Sequence, residues 1–113
     1  MIAEDYVSFE TAQLLRDKGF DELTAKSYPV FENKEYKYDI SCPTLQMAMK
    51  WLRDEHHLFI WISCKPGTSM PYYYEVFKTD KMKEYVVYID HNVYGSYEKL
   101  CDDAIQYCLK NLI

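Results

Sequence analysis

Apolar residues in this chain recur with two spacings, and the alternation between them lays out a series of helices and strands. Helical spacing comes first. Phe9, Ala12 and Leu15, with Leu14 beside them, share one side of a stretch that opens at Ser8 and closes at Gly19. Ser8 supplies an N-cap oxygen, Glu10 puts negative charge in the first turn and Lys18 positive charge in the last. Gly19 suits the left-handed position after the helix, from which Phe20 can fold back on Leu15.

Strand spacing follows in two short runs, Tyr28 to Phe31 and Tyr36 to Ile40, joined by Glu32-Asn33-Lys34-Glu35 as a hairpin. Tyr36, Tyr38 and Ile40 alternate with Lys37 and Asp39, so one face of the second strand should be wet. Pro29 makes the first strand an edge strand or barely a strand. Helical spacing returns with Pro43 as a first-turn residue. Leu45, Ala48, Met49, Leu52 and His56 form its stripe, widened by Met47 and Trp51.

That helix is expected to end at His56 or His57, and Leu58-Phe59-Ile60-Trp61-Ile62 follows almost without a linker. Both faces of this run are apolar, which predicts a central strand. A Pro66-Gly67 turn leads to a strand over Tyr72 to Phe77, a charged turn over Lys78 to Lys83, and a third meander strand over Tyr85 to Ile89. After Asp90-His91-Asn92, Ser96 caps a last helix striped by Tyr97, Leu100, Cys101, Ala104, Ile105, Cys108 and Leu112. The expected architecture is a single α+β domain over residues 1–113, in the order α-β-β-α-β-β-β-α. It is an antiparallel sheet with helices mainly on one face.

Composition narrows the function classes more than it names one. The net charge is -5, and residues 1–57 carry 7 Lys or Arg against 11 Asp or Glu. Nucleic-acid binding draws most of its affinity from phosphate neutralisation, so this balance counts against it. A basic patch from Lys78, Lys81 and Lys83 would be the way back to it. Acidic Glu4 and Asp5 stand where a signal peptide would be basic, and no apolar run approaches the ~18 residues of a membrane span. The expectation is a cytoplasmic protein with no membrane contact and reduced cysteines.

No residue pattern points clearly to catalysis. Cys42, Cys64, Cys101 and Cys108 lack the close pairing of a structural zinc site. Cys101 and Cys108, seven apart on an apolar stripe, read as small hydrophobes. His56 and His57 are consecutive, and on a helix they point about 100° apart, poorly placed to share a metal. Phosphate-cradle, zinc-protease and nucleophile-elbow motifs are missing from the sequence. No metal, cofactor or catalytic residue is therefore assigned, and a non-enzymatic role is favoured.

What stands out is aromatic content, 17% overall with 12 Tyr. With helices on one face, alternate strand residues line the other: Tyr72 and Tyr74 with Val76, or Tyr73 and Phe77 with Glu75, in company with Phe59 and Trp61. Register decides between these sets. Such a face suits a protein partner or a second copy of the chain, that is, a homodimer; the same rings would also serve simply to shield a one-sided sheet. The alternative is a small enzyme or ligand site at strand ends, formed by Cys64, Asp90 and His91.

Three stretches, VSFETAQLLRDKGFDE (7–22), PTLQMAMKWLRDEHHLFIWIS (43–63) and SYEKLCDDAIQYCLKNLI (96–113), resemble a group of small uncharacterised proteins of gut Bacteroides-type bacteria and their phages or integrated elements. The likeness covers nearly half the chain and all three helices. It implies a bacterial or phage-element origin and a cytosolic setting, and it carries no activity and no site residues.

Overall fold

The computed structural model describes residues 3–80, 83–90 and 92–113, of which residues 80 and 83–86 are described by their backbone alone. Three helices, α1 (Phe9–Asp17), α2 (Leu45–His56) and α3 (Tyr97–Asn111), alternate with five strands, β1 (Lys26–Glu32), β2 (Glu35–Cys42), β3 (Leu58–Cys64), β4 (Tyr72–Asp80) and β5 (Lys83–Ile89). This is the expected α+β order.

Each helix begins on a hydroxyl that accepts from a backbone N–H left over in the first turn. Ser8 accepts from Thr11, Thr44 from Met47 and Ser96 from Lys99. Pro43 was expected inside α2 but lies just before its cap. Thr44 takes the capping position, and the Pro43 carbonyl accepts from Val7 N–H at 3.1 Å. At the end of α1, Phe20 N–H donates to Leu15 and Gly19 N–H to Arg16, with Gly19 at φ 99. These are the two bonds of a Schellman closure.

The expected single sheet is in fact two. β1 and β2 form a hairpin by themselves, and the meander runs in the order β3-β4-β5. The hairpin's root is tied instead to the N-terminal segment: Leu45 N–H donates to Asp5, and Tyr6 pairs with Thr44. Its turn is shorter than expected because Asn33 and Lys34 both take positive φ, 51 and 65. Two left-handed residues suffice to reverse the chain, so the strands run up to Glu32 and Glu35. The distal half of the hairpin stands out in solvent, with Phe31 and Tyr36 more than half exposed and in edge contact with each other. Accordingly the radius of gyration is 15.2 Å, against ~13 Å for a compact chain of this length.

A second correction concerns β3, expected at the centre of the sheet. It is an edge strand, and β4 is central. Its two apolar faces have different causes: Leu58 and Ile60 are buried beneath the helices, whereas Trp61 is exposed on the opposite face. An alternating run in which every residue is apolar cannot distinguish a covered second face from a bare one.

The helices pack on one side of the meander. α3 lies against β3 and β4, and α1 and α2 pack against α3. Leu100, Cys101, Ala104, Ile105, Cys108 and Leu109 of α3 are fully buried. Burial pushes the Cys101 thiol up to about 11 and the Cys108 thiol up to about 12, as befits groups that pack as hydrophobes. At the N-terminus of α1, Asp102 of α3 accepts from both the backbone N–H and the hydroxyl of Ser8 at 2.9 Å, which ties the two helices end to side. α2 enters β3 through one residue, His57, in the left-handed conformation at φ 57. Its carbonyl accepts from Thr79 N–H at 2.8 Å and from the Thr79 hydroxyl at 3.2 Å.

Candidate functional site

The register of the meander sorts its aromatic residues onto two faces. β3 and β4 pair Ile60 with Val76, Phe59 with Phe77 and Trp61 with Glu75. β4 and β5 pair Glu75 with Ile89 and Val76 with Tyr88. Directly opposed residues share a face, so Leu58, Ile60, Ile62, Tyr72, Tyr74 and Val76 look inward. Phe59, Trp61, Tyr73, Glu75, Phe77 and Thr79 look outward, and Ile89 opposes Glu75 on that side.

Among the described residues the outer face is an aromatic floor without a lid. Phe59, Trp61, Phe77 and Thr79 line an open groove of about 390 Å³. Trp61 is 52% exposed and Ile89 43%. The Phe59 and Trp61 rings lie 6.2 Å apart at 40°. The indole N–H of Trp61 donates to Ser63 Oγ at 3.1 Å, which fixes the ring along the strand. Glu75 brings the one acidic side chain among the named members of this face, half-buried between Trp61 and Ile89.

Of the six residues expected on a binding face, four lie there: Phe59, Trp61, Tyr73 and Phe77. Tyr72 and Tyr74 do not. Tyr74 is 3% exposed, within a set of tyrosines between the sheet and α3. Its ring lies 5.9 Å from Tyr88 and 6.5 Å from Tyr94, and Tyr88 stacks on Tyr107 at 3.7 Å. Tyr72 packs its edge against Tyr97 of α3. Thr79 was missed because Lys78 to Lys83 was read as a turn, and Ile89, inside an expected strand, because its place opposite Glu75 depends on the register. Alternation carried two residues further along β4 would have found Thr79.

The alternative strand-end site divides across the sheet. Cys64 is exposed at the end of β3, opposite Tyr72, whereas Asp90 is 4% exposed beyond β5, its N–H bonded to Tyr74. Strand β4 lies between them, a separation of two strand spacings or roughly 10 Å. His91 and the Lys81 of the expected basic patch lie outside the described residues, and of Lys83 only the backbone is described. Asp90 has a structural use: its carboxylate accepts from Asn92 N–H and from the Tyr94 hydroxyl, both at 3.0 Å. Burial first, and Asp90 second, hold the Tyr74 and Tyr94 phenols well above the ordinary tyrosine value.

A second groove of about 390 Å³ lies between the end of α1 and β2, lined by Arg16, Gly19, Asp21, Asp39 and Ser41 among others. Its cation is already engaged, since the Arg16 guanidinium sits 4.2 Å over the Tyr38 ring. Among the described residues no three His, Cys, Asp or Glu side chains gather as a metal site would require, and no helix is long and apolar enough to cross a membrane. No family model, curated protein or solved structure matches the chain.

Proposed function

We propose that this chain is a non-enzymatic interaction module that holds a protein partner on the outer face of its meander. The observation that carries this reading is the open groove lined by Phe59, Trp61, Phe77 and Thr79, with Trp61 exposed, on a sheet whose other face lies against the helices. Rigid aromatic rings give large contact area at small entropic cost, and such anchors dominate binding energy at protein interfaces. Glu75 sets a further condition on the partner: apolar side chains for the groove and a cation for the carboxylate. An accessory role in a bacterial cytoplasm belongs to the same proposal, as the resemblance of the three helical stretches would imply.

The test is affinity capture with the full chain and two variants, Trp61→Ser and Phe77→Ser, beside a Lys110→Ala control. A partner held by wild type and control should bind either face variant more weakly by roughly 30-fold, the effect of losing an anchor worth about 2 kcal/mol. Trp61 emission should shift to the blue on binding. Equal retention by all four proteins would overturn the reading.

A further inference from the structure

Sheet edges in proteins that stay monomeric are usually guarded by charge, proline, a bulge or a cover. The other edges here follow that rule. β1 has Lys26, Pro29 and a register shift after Val30; β2 has Glu35, Lys37 and Asp39; β5 has a register shift opposite it after Val76. β3 has no charge, proline or bulge, and only its second half is open to solvent. Its sequence, LFIWISC, contains no charge and no proline, its pairing with β4 runs through without a shift, and among the described residues it pairs with β4 alone.

One bond shows which backbone groups of β3 face outward. Thr79 N–H donates to the His57 carbonyl, and these two residues continue the β3–β4 register. Bonded residues alternate along an antiparallel ladder, so Phe59, Trp61 and Ser63 turn their N–H and C=O toward β4. Leu58, Ile60, Ile62 and Cys64 turn theirs away. The far side of β4 agrees, since Tyr72 exchanges bonds with Tyr94 and Tyr74 accepts from Asp90.

We propose that a second copy of this chain adds at this edge, strand to strand and antiparallel, about a two-fold axis through Trp61. Centred there, Ile60 opposes Ile62 on both sides of the axis and the two exchange their outward N–H and C=O, while Leu58, buried at its end of the strand, opposes the exposed Cys64. The strand has no charge, so self-pairing opposes no like charges. The axis is normal to the sheet and keeps both outer faces on one side, where the two grooves meet at a pair of Trp61 rings. Edge pairing uses the backbone and leaves the aromatic floor open. It therefore goes beyond the partner-binding reading and stands or falls separately from it.

Size-exclusion chromatography with light scattering of the full chain should give twice the monomer mass of 13.6 kDa. A monomer up to millimolar concentration overturns the proposal. Ile62→Pro removes an outward N–H and leaves the β3–β4 ladder intact; it should be monomeric with an unchanged far-UV spectrum, and a persisting dimer overturns the proposal. Should that variant lose its fold, oxidative cross-linking in a Cys64→Ser background decides. Trp61→Cys brings like positions within disulfide reach at a non-bonded pair and should cross-link. Phe59→Cys faces Ser63 of the other copy and should not. Cross-linking of both or of neither overturns the pairing. Phe77→Ser should remain dimeric, so its failure to capture a partner bears on the outer face alone.

Discussion

The two faces of the meander are made by the same three strands, and neighbouring residues have opposite fates. Ile60 is buried beneath the helices, while Trp61, the next residue, is half in solvent. Tyr74 lies in the interior and Tyr73 on the outer floor. Both sides carry aromatic rings, the inner among aliphatic residues and the outer beside Glu75 and Thr79; α2 and α3 cover only the first. Aromatic excess is thus two populations, one that closes the fold and one that the fold displays.

The sharpest way to break this comparison is to truncate adjacent residues. Ile60→Ala should cost about 2–5 kcal/mol of stability, the loss of a buried branched side chain plus the cavity it leaves. Trp61→Ala should cost under about 1 kcal/mol, the scale of a cross-strand contact on an open face. Urea denaturation of both variants measures the difference, and equal losses would mean that the outer face is not bare.

A smaller effect is expected at the clamp that closes the inner face beyond β5. Tyr94→Phe strips one hydrogen bond from the buried Asp90 carboxylate, at a cost of about 1–3 kcal/mol. Thermal unfolding would register it, and no change would show that the carboxylate finds another donor.

The smallest effect is invisible at neutral pH. Tyr28, whose hydroxyl donates to the Val7 carbonyl at 2.8 Å, has its phenol pushed up to about 12, chiefly by burial. A phenol raised in the folded state contributes stability that is complete below its unfolded value near 10 and is lost as pH rises through about 12. Tyr74 and Tyr94 are shifted the same way. Absorbance titration of tyrosinate should show an early exposed class and a late one released as the protein unfolds in alkali. A single class would erase the distinction between displayed and enclosed tyrosines.

The helices were legible because their signals are local. Ser8, Gly19 and Ser96 mark caps within a residue of where they occur, and the buried stripes of α2 and α3 follow from spacing alone. The sheet was less legible because its determinants are not local. Whether Tyr72 or Tyr73 faces outward depends on Ile60 meeting Val76, a pairing across a turn. That β3 lies at an edge depends on the hairpin finding its neighbour in the N-terminal segment instead. The candidate face was visible as residue types, and its membership awaited the register.

His57 gives the arrangement a mechanical property. A joint of one residue, its carbonyl held twice by Thr79, has no slack. Strand β3 cannot tilt or slide without turning α2 with it, so the strand and helix act as a crank. Midway along that crank lies Trp51, whose ring meets Phe20 at 5.6 Å and His56 at 4.7 Å, apart from the residues that line the groove. A load applied at β3 would be read there as a change of torque, by an indole that touches nothing bound to the outer face.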